Sequence, residues 1–180
     1  IMTWTGTGYV SGKTIGHGLG KAPKMIWIKR RNISTDNWAI YFNDGTKRIS
    51  SFFNTSAPID PAQASYWPNN DPTSSVFYVG TDSAVNGSVS MTYVGYAWAE
   101  IPGYSKFGTY SGNNANDGTY IHLGFRPAWL MVKRIDSTRN FLIYDGVRST
   151  FNPIQDFLEP DQSTVEQSAN ANKVDFVANG

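Results

Sequence analysis

The chain has 180 residues and a formal net charge of +1, from 15 Lys and Arg against 14 Asp and Glu. Charged residues make up 16%, below the roughly 25% of an average globular protein, while aromatics reach 14%. The near-neutral balance argues against nucleic acid or an anionic membrane surface as a partner. The aromatic content excludes disorder, and the absence of cysteine excludes disulfides, thiol catalysis and thiolate zinc sites.

Apolar residues recur with a period near two. The run Lys24 to Lys29 is apolar between flanking charges, and Trp38, Ile40 and Phe42 alternate along 37–43. Val76 to Val79 is followed by a turn and by Ser88 to Glu100, where Val89, Met91, Tyr93 and Val94 lead into Tyr96 and Trp98. Leu130-Met131-Val132 is a further apolar run, and the longest, Ala128 to Val132, falls far short of a membrane span. These stretches are rich in β-branched and aromatic residues and read as strands. Asp44-Gly45, Asn86-Gly87, Asp117-Gly118 and Asp145-Gly146 read as tight turns, each offering residues that tolerate positive φ. One weak helix is expected over Gln162 to Asn170. The expected fold is all-β, an antiparallel β-sandwich.

An internal repeat organises the chain. At an offset of 104, Leu19, Gly20, Pro23, Lys29 and Arg30 meet Leu123, Gly124, Pro127, Lys133 and Arg134. After a one-residue gap, Ser34, Thr35, Asn37, Ile40 and Tyr41 meet Ser137, Thr138, Asn140, Ile143 and Tyr144. We read a tandem duplication, with a first unit over 1–102 and a second over 103–180, packed as one domain across the short Pro102-Gly103 junction. Ile26-Trp27-Ile28 and Leu130-Met131-Val132 are apolar on both faces and are expected to be central strands. The counterpart of the Ser88–Glu100 strand is expected beyond residue 180 or from elsewhere, and Ile1-Met2-Thr3 reads as a fragment boundary.

Candidate chemistry follows from residue types. His17 and His122 stand at near-equivalent places, without HxH or HExxH spacing, and read as structural. The three glutamates, Glu100, Glu159 and Glu166, do not form the carboxylate pair that glycoside hydrolysis needs, and Asp60, Asp71, Asp82, Asp117 and Asp145 sit in turn sequences. No Gly-x-Ser-x-Gly element supports a serine triad. Gly16-His17-Gly18-Leu19-Gly20 lacks the ending and the following helix of a phosphate loop. No cofactor is expected. Calcium is the candidate cation, at the oxygen-rich loops Asn113-Asn114-Ala115-Asn116-Asp117-Gly118 and Asn69-Asn70-Asp71.

The binding candidate is the loop Tyr66-Trp67-Pro68-Asn69-Asn70-Asp71. There Tyr66 and Trp67 would stack on the apolar face of a sugar, and Asn69, Asn70 and Asp71 would read its hydroxyls. Tyr9 and the loop Tyr110 to Asn114 are weaker candidates, and Trp27, Trp98 and Trp129 are expected in the core.

The stretches Trp4 to Gly8, His17 to Ile26, Tyr104 to Asn113 and Gly124 to Arg134 resemble a duplicated module of bacteriophage tail fibres and other virion proteins. The resemblance covers nearly the whole chain and carries no catalytic or ligand residues. It implies continuation past Asp175 to Gly180 into a further hairpin, a virion location and a homo-oligomer, with a trimer as the commonest fibre form. The expected function is non-enzymatic host-surface adhesion through glycan contact by aromatic and Asn-rich loops. The alternative is an architectural capsid-decoration or fibre-shaft unit that binds neighbouring virion proteins. A glycan hydrolase is the third reading. Neither nucleic acid nor membrane insertion is expected.

Overall fold

The period-two pattern becomes strands along the whole chain: β1 (Met2–Thr5), β2 (Lys13–Gly16), β3 (Met25–Arg30), β4 (Ala39–Asn43), β5 (Arg48–Phe52), β6 (Asp60–Pro61), β7 (Val76–Val79), the short helix α1 (Ser83–Asn86), β8 (Thr92–Trp98), β9 (Trp129–Lys133), β10 (Phe141–Asp145), β11 (Asp156–Leu158) and β12 (Gln167–Ser168). This computed structural model describes residues 1–45, 48–58, 60–61, 63–115, 117–168 and 172–180. The fold is all-β with antiparallel pairing. A six-stranded sheet has the order β1-β8-β3-β4-β5-β6, a four-stranded sheet the order β12-β11-β10-β9, and β2 pairs with β7 as a ribbon.

The larger sheet is built on β3, which pairs with β8 on one edge and β4 on the other. Successive side chains of a strand point to opposite faces. Ile26 and Ile28 therefore point inward and are fully buried, together with Ala39 and Tyr41 of β4 and Tyr93 of β8. The β2–β7 ribbon covers this inner face with Ile15, Phe77 and Val79, and α1 adds Val85. The result is two layers of β structure around one core. Gly95 of β8 makes room for Trp4, because a Cβ there would meet the indole at 2.9 Å. Trp4 in turn stacks on Tyr93 at 5.4 Å and donates from Nε1 to the Val85 carbonyl.

Two local expectations change. Helix forms at Ser83–Asn86 rather than over 162–170, because the Asp82 carboxylate accepts from the Ala84 N–H at 2.8 Å and starts the turn. The polar stretch 162–170 supplies β12 instead, with residues 169 and 170 outside the described set. Asn86-Gly87 is not a positive-φ hairpin turn. Gly87 has φ −91° and closes α1, where a Cβ would collide with the Met91 sulfur at 2.1 Å. Among the glycines of the four turn pairs, Gly45 has positive φ and Gly87, Gly118 and Gly146 do not.

Asn86 is the polar hub of this end of the core. It is fully buried. Its Nδ2 donates to the carbonyls of Val10 at 2.8 Å and Gly80 at 3.2 Å, and its Oδ1 accepts from the Thr7 N–H and hydroxyl, both at 3.0 Å.

The four-stranded sheet repeats the pairing of part of the larger one. Ile26 faces Tyr41 and Leu130 faces Tyr144. Tyr41 then faces Ser50 as Tyr144 faces Phe157, and Ser50 faces Asp60 as Phe157 faces Gln167. Its core is separate and smaller: Tyr144, Ile154, Phe157 and Phe176, with Leu130, Leu142 and Val174 packed against them. The two sheets meet where Phe53 packs on Phe141 at 5.3 Å and where the Ser56 carbonyl accepts from Lys133 Nζ at 3.1 Å and the Arg139 N–H at 3.0 Å.

Two outcomes follow for stability. Asn86→Ala leaves the buried Gly80 carbonyl and the partly buried bonds to Thr7 and Val10 without their partner, and unfolding in urea should show a loss of about 3 kcal/mol; a loss below about 1 kcal/mol would show that water replaces the amide. Burial pushes the Tyr144 phenol up to about 12 from 10.0, with a smaller push from Tyr110. The folded state then keeps this proton where the unfolded state loses it. The stabilisation is complete below pH 10 and is lost as pH rises towards about 12. Tyr144→Phe should flatten the fall of the urea midpoint across that window.

Candidate functional site

The expected site loop divides on folding. The Gln63 carbonyl accepts from the N–H groups of Tyr66 and Trp67, at 3.0 and 2.8 Å. This turn carries the Trp67 indole inward onto Tyr41, at 5.3 Å between ring centroids. Trp67 is 2% exposed and belongs to the first core. The stacking floor expected at Trp67 is therefore absent: the indole is spent on covering β4. Tyr66 is half-buried edge-on to Phe52 at 5.4 Å. Burial raises its phenol above the usual range, and the Asp82 carboxylate raises it further by charge and by accepting its hydrogen bond. Asn69, Asn70 and Asp71 lie at the surface, and the Asp71 carboxylate accepts from Asn43 Nδ2 at 3.5 Å.

The tryptophans expected in the core lie outside it. Because Ile26 and Ile28 point inward, Trp27 between them points to the opposite face of the sheet. Tyr96 and Trp98 of β8 share that face, alternating with Gly95 and Ala97. Trp27 lies 4.7 Å from Trp98, Trp98 stacks with Tyr96 at 6.2 Å, and Tyr96 approaches Trp38 at 6.2 Å across β3. Phe53 closes the group over Trp27 at 4.5 Å. All five rings are partly exposed. Trp129 of β9 is 49% exposed.

This aromatic row is the candidate site. It has a polar margin. Asn54 Oδ1 accepts from the Trp38 N–H and its Nδ2 donates to Asn37 Oδ1, both at 2.9 Å. Arg30 pairs with Asp36 at 3.2 Å, and Lys29 Nζ donates to the Asp36 carbonyl, which holds the 30–38 loop against the sheet. Trp27 Nε1 is buried without a hydrogen-bond partner among the described residues. Flat rings with fixed amides beside them offer stacking for an apolar C–H face and hydrogen bonds for hydroxyls. The signal was present in the sequence, since Trp27 sits between two isoleucines at strand spacing.

The remaining candidates have structural partners. The His17 Nδ1 accepts from the Leu19 N–H at 3.1 Å, which places the proton on Nε2, 3.1 Å from the Thr73 carbonyl. His122 instead lies beside Tyr120. Glu100 accepts from Lys106 Nζ and the Phe107 N–H, both at 3.2 Å, Glu159 from Asn140 at 2.9 Å, and Glu166 from Arg148. In the loop 113–118, Asn113 Oδ1 accepts from the Ala115 N–H at 3.1 Å and its Nδ2 donates to the Asp117 carbonyl at 2.7 Å; Asn116 lies outside the described residues. Among the described residues, no three His, Cys, Asp or Glu side chains are grouped to hold a metal ion, and no helix is long and apolar enough to cross a membrane.

No curated protein and no solved structure matches the chain. One family does, over residues 1–180, described as "Domain of unknown function (DUF7483)". The chain belongs to that family.

Proposed function

We propose that this protein is a non-enzymatic adhesive module of a bacteriophage virion appendage, and that the outer face of its larger sheet contacts host-surface glycan. The observation that carries the contact is the row Trp27, Trp98, Tyr96 and Trp38, with partly exposed rings beside the Asn37–Asn54 amide pair. The virion setting rests on the sequence resemblance. The contact remains of the expected chemical kind, aromatic with asparagine, but at a different place from the 66–71 loop. One sheet face of this size binds weakly. Many copies on one particle would raise the effective affinity through avidity.

An architectural role is the second reading, favoured by a separate observation. Val147, Phe151 and Val165 in the second unit are 87%, 84% and 81% exposed. Apolar side chains this open suit a surface that another virion subunit covers.

A glycan-array screen tests the first reading, with Trp98→Ala and Trp67→Ala alongside. Trp98→Ala should lower binding at least tenfold while the melting temperature stays within a few degrees. Trp67→Ala should instead cost stability, about 3–5 kcal/mol for a buried tryptophan. Binding that survives Trp98→Ala would remove the aromatic row as the site. The second reading predicts an oligomer in sedimentation equilibrium that Phe151→Ser dissociates.

A further inference from the structure

Beside β5 the surface opens into a cavity of about 50 Å³, lined by Ser50, Ser51, Phe52, Ala57, Pro58 and Gln63. Ser50 and Ser51 are 5% and 7% exposed and form its floor, while Ala57, Pro58 and Gln63 are exposed and form its rim. The Ser51 hydroxyl is buried without a hydrogen-bond partner among the described residues. A buried hydroxyl left unpaired costs stability, so its retention beside a cavity calls for a partner that enters the cavity. The position of Ser51 points to which partner. It faces Ile40 of β4, which faces Trp27 of β3. Opposed residues share a face, which puts Ser51 on the side of the sheet that carries the aromatic row, two strands or about 10 Å from Trp27. Phe53, two positions along the same face, stacks on Trp27 at 4.5 Å.

We propose that this cavity is a subsite for the acetyl group of an acetylated host-surface sugar, an assignment that rests on the glycan reading above. The lining selects the group. None of the described lining residues is charged, so a carboxylate or an ammonium would enter without a counter-ion. Phe52, Ala57 and Pro58 give apolar walls for a methyl group, and the Ser51 hydroxyl can donate to one carbonyl oxygen. By volume the cavity holds about four atoms of water size. An acetyl group with its bonded nitrogen or oxygen has that size, whereas a hydroxymethyl group would leave much of the space empty. Apolar walls with a single placed polar group are the usual make-up of a ligand recess. The same chemistry is offered by N-acetyl and O-acetyl sugars.

The test is an amide NMR titration of the intact protein with N-methylacetamide and with methyl acetate, the two acetyl sources, and with N-methylformamide, which lacks the acetyl methyl. Saturable shifts are expected at residues 50–52, 57 and 63 with an acetyl probe, and much weaker binding of the formamide. Ser51→Ala should weaken the acetyl probe about fivefold, the worth of one hydrogen bond, with no fall in melting temperature, because the hydroxyl has no internal partner. Ala57→Leu fills the rim, keeps the hydroxyl and should abolish the shifts. The tighter probe names the source, and methyl glucoside bearing that acetyl group should bind about fivefold more tightly than methyl glucoside itself. The proposal is overturned by absence of saturable shifts with both acetyl probes, which assigns the cavity to ordered water. It is equally overturned by an undiminished response to the formamide, by binding that either variant leaves unchanged, or by equal affinity for the acetylated and plain glucosides. Acetyl-dependent binding that Trp98→Ala leaves unchanged removes the aromatic row and keeps this subsite.

Discussion

The structure depends on β3 having a strand on each edge. With both sets of backbone groups paired, Ile26 and Ile28 are driven to one face and Trp27 to the other. The inward face then requires a lid, and the β2–β7 ribbon with α1 provides it through Phe77, Val79 and Val85. This end of the core also encloses polar groups, and those of Tyr93 and Asn86 find partners. Tyr93 donates to the Ser83 carbonyl and accepts from the Gly87 N–H, both at 2.7 Å, while Asn86 satisfies Thr7, Val10 and Gly80. Unpaired polar atoms in such a place cost more than their bonds return, so the short helix and its glycine are required by the core they close.

The same constraint explains the aromatic face. A strand buried on one side only has to send every second side chain outward. In β3 and β8 those positions hold Trp27, Tyr96 and Trp98. Rings at this density support one another at 4.7 to 6.2 Å, which keeps them ordered although partly in water. A packed aromatic surface of this kind would lose little conformational freedom if a ligand stacked on it.

The four-stranded sheet has the register of part of the larger one with fewer strands. Among the described residues no strand lies beside β9, so Leu130 and Val132 stay partly open, and the buried residues of this core are Tyr144, Ile154, Phe157 and Phe176. Its attachment to the first sheet at Phe53–Phe141 and Ser56–Lys133 leaves Val147, Phe151 and Val165 uncovered.

Much of this was legible in the residues. Alternation identified β4 and β8, continuous apolar runs identified β3 and β9, and β10 followed from its match to β4, because such short-range patterns depend only on local backbone geometry. The residue correspondence of 19–41 with 123–144 runs along the strands that share a register. The sequence alone also determined the all-β class. It did not determine which tryptophans are inside. Trp67 looked like a loop aromatic and is core, because the turn at Gln63 aims it at Tyr41; Trp27 and Trp98 looked like core and form a face. Local sequence specifies alternation but not which of the two alternating sets meets the lid. Only the tertiary packing of the β2–β7 ribbon against one side of the sheet decided that, by making the burial of one set costly to reverse.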